Sequence, residues 1–364
     1  MRVGIDTRDR FLAKTGIRTV LDEIIKGLSN DPDIEVVKIE PKTFYPPKTK
    51  IGKIKEHIRF FFWKEFRLPI LAKEKECDVL ICNDYVVPFY MPKGIKAFPV
   101  FHGCNIWELP EHYNKYWRWM FTIMAIPAGR KASKIFTVST FSKNRLTELF
   151  GFNPEKIIIV PLGPKRSLLE PKTLINLSKF RISENQKFLL HVGVMEKRKN
   201  LPRLIEAFSK LHDKSLKLVL VGQRGPKVFL DDYENIIRKI ESLALSDRVI
   251  LTGFVTDKEL YTLYSKALAY IFPSLYEGFG IPVIEAFQFS LPVAASNRGA
   301  LPEVLGKGGV LFDPKNIPDM VEKIELILQN ASTNMDSIKN SQKEIIARYS
   351  WENTIKTIKQ QLIR

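Results

Sequence analysis

The chain has 364 residues, of which 45% are hydrophobic and 27% charged, and its formal net charge at pH 7 is +17. This length favours two domains, and the composition excludes a disordered protein. No apolar run approaches the roughly 20 residues that cross a bilayer, and residues 1–6 look like a first strand rather than a signal peptide, so the sequence predicts a cytoplasmic protein. Its positive field would attract nucleic acid, anionic lipid or phosphorylated small molecules.

Missing motifs argue against nucleic acid as a partner and against a structural zinc site. The sequence has no zinc finger, no RNA-recognition signature and no basic region followed by heptads, which argues against nucleic acid. Cys77, Cys82 and Cys104 form no C-x-x-C pair and have no histidine at zinc-finger spacing. We therefore expect buried thiols rather than disulfides or a structural zinc.

The first half of the chain alternates short β-rich runs with amphipathic stretches, which is typical of a parallel sheet flanked by helices. Helices are predicted at 19–28 and 143–149. The predicted strands are 2–5, 35–39, 79–82, 97–101, 134–138 and 157–160.

The same alternation resumes after a connection at 161–186 that contains proline and lysine. Helices are predicted at 201–211 and 260–265, and strands at 188–192, 217–221, 249–251, 269–272, 292–295 and 309–312. The sequence therefore predicts an α/β protein with two Rossmann-like, doubly wound domains, 1–165 and 166–340. A final helix within 341–364 could cross back to the first domain. Because such sheets bind ligands at the carboxyl ends of their strands, two facing domains predict a site in the cleft between them.

A strand, turn and helix at residues 272–286 carry the strongest functional signal. Pro282 lies in the first turn of the predicted helix, where proline is well tolerated. The backbone N–H groups of 279–281 would lie at the positive end of that helix, in a geometry suited to a diphosphate. The residues of the turn are Gly278, Phe279, Gly280 and Ile281.

Glu277 and Glu285 flank this turn. Since carboxylates beside phosphate are repelled, we expect them to accept hydrogen bonds from hydroxyls, Glu277 from a sugar and Glu285 from a ribose diol. The alternative is a structural corner with two solvated glutamates.

This pattern resembles the retaining GT-B glycosyltransferases, specifically family four, whose hallmark is a Glu, seven residues and a second Glu. The resemblance covers nearly all of the second domain, including 193–204, 252–254 and 302–304, and is thinner in the first. It implies a GT-B fold and transfer of a hexose from a nucleoside diphosphate sugar to an acceptor hydroxyl with retention of configuration.

The resemblance also implies roles for two cations. Arg198 and Lys199 follow a predicted strand, and adjacent cations there suit a leaving diphosphate whose charge grows as the glycosidic bond breaks. No D-x-D motif occurs in the chain, and the family generally uses no divalent metal there, so we expect neither a metal nor a cofactor. Two departures are Val194, where many members have Arg, and Gly103, where many have Asp. A solvated basic face is the alternative for Arg198 and Lys199.

The remaining site residues follow strand ends. His102 matches the family histidine that approaches the donor sugar and the reaction centre, although a lone histidine after a strand is often structural. Gly16 would admit backbone amides near the phosphate, or is a plain turn. The resemblance places the other three at the donor nucleotide: Gly193, Gly253 and Phe254.

A basic aromatic stretch lies at residues 48–76, with nine Lys or Arg against four Glu, a net of +5. Its apolar residues recur at helical spacing. Such a helix is typical of a membrane-surface anchor, but the same stripe could pack on the domain core. The stripe consists of Ile51, Ile54, Ile58, Phe62 and Phe66.

The resemblance implies a hexosyltransferase acting on a glycan or lipid-linked acceptor, and surface polysaccharide or lipopolysaccharide assembly is a common setting in that family; GDP-mannose is the first expectation for the donor. Peripheral attachment to the inner face of the cytoplasmic membrane through 48–76 is a hypothesis. The alternatives are a GT-B-like phosphorylase or epimerase, or a basic nucleic-acid or lipid-binding protein without catalysis.

Overall fold

The computed structural model describes residues 1–8, 10, 16–41, 50–170, 172–225, 228–330 and 335–363. The chain forms two compact units. The first unit comprises Met1–Cys104, Lys115–Leu162 and Trp351–Arg364, and the second unit comprises Asn105–Asn114 and Gly163–Ser350. Within the described ranges, no helix is both long and apolar enough to cross a membrane.

The first unit is built on a parallel sheet of six strands in the order β2-β1-β3-β4-β5-β6. All six predicted strands are confirmed. They are largely buried because helices cover both faces of parallel sheets. Their bounds are β1 (Arg2–Asp6), β2 (Glu35–Ile39), β3 (Val79–Cys82), β4 (Lys96–Phe101), β5 (Ile135–Thr137) and β6 (Ile157–Ile159).

The second unit has its own parallel sheet of six strands, in the order β12-β11-β10-β7-β8-β9. The six strands predicted here are also confirmed. Chain order reverses between the neighbours β7 and β10, which makes their carboxyl ends the topological switch point of this sheet. The bounds are β7 (Phe188–Val192), β8 (Lys217–Val221), β9 (Val249–Gly253), β10 (Ala269–Phe272), β11 (Val293–Ser296) and β12 (Val310–Phe312).

Helices connect the strands of both sheets. In chain order they are α1 (Gly16–Ser29), α2 (Lys50–Phe62), α3 (Leu68–Glu74), α4 (Asn105–Glu108), α5 (Lys115–Lys131), α6 (Thr140–Phe150), α7 (Leu201–Lys210), α8 (Tyr233–Ser242), α9 (Asp257–Lys266), α10 (Ile281–Gln288), α11 (Leu301–Leu305), α12 (Ile317–Asn330), α13 (Met335–Arg348) and α14 (Trp351–Ile363). A five-residue π-helix, Trp63–Arg67, joins α2 to α3.

The end of the chain differs from the prediction. The expected single helix after 341 is two helices, because the backbone leaves the helical conformation at 349–350. Helix α13 belongs to the second unit, whereas α14 belongs to the first. Helix α14 packs against α1 so closely that a Cβ on Gly27 would lie 2.3 Å from Ile355 Cγ1. Residues 105–114, expected in the first domain, belong to the second unit.

Candidate functional site

The switch point of the second sheet gathers the segments after β7 and β10. Asn200 holds them together: its side-chain N–H group donates to the carbonyl oxygens of Pro273 at 3.2 Å and Pro314 at 2.7 Å. The amide of Leu275 donates to the carbonyl oxygen of Arg198 at 2.8 Å. These bonds bring the cations of one segment to the acidic residue of the other.

Glu277 is the centre of this arrangement. Its Oε1 accepts hydrogen bonds from Arg198 Nη1 at 2.8 Å and Lys199 Nζ at 2.6 Å. Arg198 Nε also donates to Glu196 Oε2 at 2.8 Å. The side chains of Glu277, Arg198 and Lys199 are only 12%, 22% and 7% exposed. We call Glu196, Arg198, Lys199 and Glu277 the ion cluster.

Electrostatics in the ion cluster favour the charged forms of Glu277 and Arg198 despite burial. Burial opposes ionisation of Glu277, but Arg198 and Lys199 outweigh it and lower the pKa of its carboxyl to about 2. The pKa of Arg198 is raised, because Glu277 and Glu196 outweigh burial. Burial lowers the pKa of Lys199 in spite of Glu277. Because the side chains of Arg198 and Lys199 are largely buried and paired with Glu196 and Glu277, the predicted alternative of a solvated basic face is wrong.

The turn before α10 needs glycine. Gly280 has a φ of +125°, a conformation that side chains disfavour, and a Cβ there would lie 2.8 Å from Leu301 Cδ2. Its carbonyl oxygen accepts from the amide of Val283 at 2.9 Å as α10 begins. The ring of Phe279 is buried against Tyr349, with centroids 5.1 Å apart. At Phe279 only the backbone is therefore left to serve a ligand.

Glu285 lies in α10 and is buried. Its Oε2 accepts a hydrogen bond from the Tyr264 hydroxyl at 3.0 Å, and its Oε1 accepts from the Lys165 amide at 3.4 Å. Burial raises the pKa of this carboxyl. Since both glutamates of the motif are largely buried, the alternative of two solvated glutamates is wrong.

The other predicted residues of this unit lie at strand ends. Gly193 follows β7, and a Cβ there would lie 3.2 Å from both His191 Nε2 and Lys199 Cε. Gly253 ends β9 with a φ of +68°, and its carbonyl oxygen accepts from the Gly222 amide at 3.1 Å. The next residue, Phe254, is 73% exposed. Gly193 therefore borders the ion cluster, whereas Phe254 presents a ring to solvent.

Sequence reasoning missed His191, which lies within β7 and is fully buried. Its Nδ1 is 3.0 Å from the Ile271 carbonyl oxygen, so Nδ1 carries the proton and donates. Its Nε2 has no hydrogen-bond partner in the part of the chain that is described. Burial and the nearby Lys199 lower the pKa of this imidazole to about 3. A histidine in an otherwise apolar strand was the available signal.

In the first unit, His102 directly follows β4. Its Nε2 donates to the carbonyl oxygen of Asn83 at 2.9 Å, which leaves Nδ1 as an acceptor. The side-chain amide of Asn83 donates in turn to the Ile17 carbonyl oxygen at 3.0 Å, beside Gly16 at the start of α1. Burial lowers the pKa of His102 to about 4, so it is neutral at pH 7. Asn83, which links the two predicted residues, was not predicted.

The basic aromatic stretch has a buried face that differs from the predicted stripe. Lys64 is fully buried, and its ammonium group donates to Asp6 Oδ2 at 2.7 Å, Asp84 Oδ1 at 2.5 Å and the Val86 carbonyl oxygen at 3.0 Å. The indole of Trp63 also donates to Asp6. This face holds the helix against the carboxyl ends of β1 and β3.

Three residues of the predicted stripe are exposed instead. Ile58, Phe62 and Phe66 are 53%, 55% and 51% exposed, so for them packing on the core is wrong. The rings of Phe62 and Phe66 lie 5.4 Å apart, and that of Phe61 lies within 6.2 Å of both. The side chains of the other two stripe residues, and residues 48 and 49, lie outside the described residues. We call Ile58, Phe61, Phe62 and Phe66 the aromatic patch.

The described residues contain no group of three or more His, Cys, Asp or Glu side chains arranged to hold a metal ion. All three cysteines are buried thiols, as predicted.

Comparison with known proteins decides the family. A model described as "Glycosyl transferases group 1" matches residues 175–344, and one described as "Glycosyltransferase Family 4" matches 15–164. The O-antigen chain mannosyltransferase B of Escherichia coli is 30% identical over 279 residues, which are 74% of this chain and 71% of that protein. The chain belongs to glycosyltransferase family four.

One further relative is much longer than this chain, and one solved structure has the same fold. The serotype-specific mannosyltransferase WbdA of Escherichia coli is 30% identical over 62% of this chain, but the match spans only 28% of WbdA. Sucrose-phosphate synthase from Thermosynechococcus elongatus aligns with a TM-score of 0.79 and 16% identity over 99% of this chain and 98% of that one. This glycosyltransferase therefore has the predicted GT-B fold, an α/β fold with two Rossmann-like domains.

Proposed function

We propose that this glycosyltransferase moves a hexose from a nucleoside diphosphate sugar to a hydroxyl of a glycan or lipid-linked acceptor, with retention of configuration and without a metal ion. The observation that carries the proposal is the ion cluster at the switch point of the second sheet, where α/β sheets bind ligands. It lies beside the glycine turn that opens α10.

The ion cluster supplies what a departing diphosphate needs. Negative charge grows on the leaving phosphate as the glycosidic bond breaks, and fixed cations in a buried site stabilise that charge strongly. Arg198 and Lys199 are such cations, and the amides that open α10 add the positive end of a helix. These groups replace a metal ion in the proposal. Activity unchanged by EDTA is expected, and loss of activity in EDTA that added Mg²⁺ restores would contradict it.

The two glutamates receive separate roles. Glu277 Oε1 is engaged by the two cations, so Oε2 is the oxygen proposed to accept a hydrogen bond from the donor sugar. Glu285, held by Tyr264, is proposed to accept from the ribose. In the first unit, the acceptor nitrogen Nδ1 of the neutral His102 suits a sugar hydroxyl.

Retention is proposed from the resemblance to the retaining GT-B enzymes. Glu277 fits that proposal, because a general base works best with a pKa near the operating pH, whereas the pKa of Glu277 is held at about 2 by the two cations. In a front-face mechanism the leaving phosphate itself takes the acceptor's proton. NMR of the first product formed should show the anomeric configuration of the donor, and an inverted product would refute retention.

The donor is proposed to be GDP-mannose and the setting surface polysaccharide or lipopolysaccharide assembly, because the similar proteins are named as mannosyltransferases of the O-antigen chain and of serotype-specific polymers. Thermal shift against UDP, GDP, dTDP and ADP sugars tests this. We expect GDP-mannose to raise the melting temperature most. If no nucleotide sugar stabilises the protein, and Glu285→Ala changes no activity, the proposal fails.

The aromatic patch supports a second part of the proposal, reversible attachment to an anionic membrane. Apolar side chains of the patch are exposed next to the basic residues Lys55, Arg59 and Arg67 of the same helical segment. Aromatic groups enter the headgroup boundary, and each basic residue near an anionic leaflet adds about 1 kcal/mol. Such attachment suits a lipid-linked acceptor.

Flotation with vesicles of anionic and of neutral lipid tests the attachment. Wild type should float with anionic vesicles at low salt and be released at high salt. The double variant Phe62→Asp/Phe66→Asp should remain unbound, whereas Leu149→Asp, at an exposed apolar residue on α6 of the same unit, should float like wild type. Equal flotation of the double variant and wild type would refute the role of the patch.

A further inference from the structure

Residues 105–114 interrupt the first unit in the sequence but belong to the second unit in space. The segment consists of α4 followed by a single 3-10 turn at Pro110–His112. The side-chain amide of Asn105 donates to the Tyr113 hydroxyl and so ties the two ends of the segment together. The proposed donor site, as derived from the segments after β7 and β10, does not use these residues.

The segment reaches the edge of the ion cluster. The ring of Tyr113 lies 6.2 Å from that of Phe229, and the adjacent Leu230 accepts a hydrogen bond from the Lys197 amide at 2.9 Å. Arg198 is the charged group that affects the Tyr113 phenol most, and the pKa of Tyr113 is raised to about 12, chiefly by burial. The phenol therefore keeps its proton at pH 7.

His112 lies next to Tyr113 and has an unfulfilled hydrogen-bonding group. Its side chain is 13% exposed, and its Nδ1 is buried without a hydrogen-bond partner among the described residues. The charged groups that act on it are Glu111, Lys197, Asp232 and Arg198, and burial lowers its pKa, so the imidazole is neutral at pH 7. A buried polar group without a partner destabilises the folded protein, and a hydrogen bond from a ligand would remove that cost.

Two features bear on the missing partner. Lys197 and Arg198 are the cations among the charged groups that act on His112, alongside the acidic Glu111 and Asp232, and a neutral imidazole can donate an N–H bond to an anion without adding charge. On Arg198, Nε and Nη1 are occupied by Glu196 and Glu277, whereas Nη2 makes no hydrogen bond with the described residues. A phosphate group accepts bonds from a guanidinium edge and from a nearby N–H group at the same time.

We propose that residues 105–114 form a third wall of the donor site, in which His112 binds the β-phosphate of the donor and Tyr113 is a positioning residue that orients Arg198. The proposal rests on the proposed function, since it assumes that the second unit binds a nucleoside diphosphate. It adds a contact from a segment that precedes the ion cluster by more than 80 residues.

Calorimetry with nucleoside monophosphates and diphosphates tests the His112 contact. For the base that wild type prefers, His112→Phe should weaken diphosphate binding about tenfold or more and leave monophosphate binding unchanged. His112→Asn, whose amide can take the place of Nδ1, should restore most of the affinity. His212→Asn is the matched control, because His212 is exposed on the same unit.

The outcomes separate this inference from the proposed function. Equal diphosphate affinity in His112→Phe and wild type overturns the inference alone, as does equal weakening of both nucleotides. No nucleotide binding by wild type overturns the proposed function and this inference with it.

Turnover tests Tyr113. Tyr113→Phe keeps the ring and should lower kcat about tenfold with diphosphate affinity within about twofold, because the effect is on the charge that grows in the transition state. In a double-mutant cycle with Arg198→Lys, the two losses should fall well short of additive. Additive losses, or an unchanged kcat in Tyr113→Phe, would show that Tyr113 does not act through Arg198.

Discussion

Glu277→Gln is the most informative single change, because it removes a charge and keeps the size of the side chain. In the folded protein Oε1 accepts from both Arg198 and Lys199. The substitution leaves these cations with Glu196 as the remaining carboxylate of the ion cluster. We expect lower stability, tighter binding of a nucleoside diphosphate, and slower transfer.

The magnitude follows from the pKa. The carboxyl of Glu277 falls from its ordinary value of 4.5 to about 2, so the folded state favours the charged form by about 3 kcal/mol at 1.36 kcal/mol per unit. Because only 12% of the side chain is exposed, little is lost to solvent screening. Glu277→Gln should therefore lower the free energy of unfolding by about 3 kcal/mol at pH 7. Since the folded pKa is lowered, this contribution is complete above about pH 4.5 and is lost as the pH falls toward 2.

Urea denaturation of wild type and Glu277→Gln at pH 7 and pH 3 measures this difference, with Glu241→Gln, at an exposed position, as the control. The difference should be about 3 kcal/mol at pH 7 and shrink by half or more at pH 3. A difference below about 1 kcal/mol at pH 7, or one that does not shrink in acid, would refute the reasoning. With the cations released, nucleoside diphosphate should bind about tenfold more tightly to the variant, whereas its kcat should fall.

Three further changes test other parts of the structure. In wild type, the low pKa of His191 should make the free energy of unfolding fall by about 1.4 kcal/mol per pH unit between about pH 6 and 4, because the folded state resists protonation of this histidine. His191→Phe should remove this part of the slope, and an unchanged slope would contradict the reasoning. Lys64→Met should lower the free energy of unfolding in urea by about 3–5 kcal/mol, because Asp6 and Asp84 are left buried without their cation. Adding Asp6→Asn and Asp84→Asn to that variant should restore stability, and no recovery would contradict this cause. Gly280→Ala should cost about 1–3 kcal/mol and weaken diphosphate binding, since its φ is +125°; wild-type affinity would contradict a role for this turn.

The strands were predictable because each is a short apolar run whose pattern is local. All twelve strands lie where the sequence places them, and the order of the second sheet explains why the segments after β7 and β10 meet. Glu277, Arg198 and Lys199 were also found from motifs that lie at those strand ends. Their mutual ion pairs were not predicted, because contacts between residues almost 80 positions apart depend on strand order.

The aromatic stretch shows where periodicity is insufficient. The spacing of Ile58, Phe62 and Phe66 indicates one helical face but not which face is buried. That choice is made by Lys64, whose contacts with Asp6 and Asp84 turn the opposite face toward the sheet. A lysine is rarely fully buried, so the sequence favoured the aromatic residues for the core.

His112 and Tyr113 were not predictable for another reason. They follow β4 in a part of the sequence that reads as first domain, and neither belongs to a recognised motif. In the second unit the ring of Tyr113 lies against that of Phe229, and no local sequence pattern indicates this contact. Only the folded chain brings them to Arg198.

The ion pairs of Glu277 also bear on how binding energy is divided. Under the proposed function, a donor diphosphate competes with the Glu277 carboxylate for Arg198 and Lys199, because Oε1 accepts from both cations. This competition limits the affinity for the intact donor, whose phosphates carry less charge toward the cations than the product diphosphate does. As the glycosidic bond breaks, the added charge on the leaving oxygen attracts the cations more strongly. In the proposed mechanism the arrangement therefore favours the transition state over the bound substrate, which raises kcat rather than affinity.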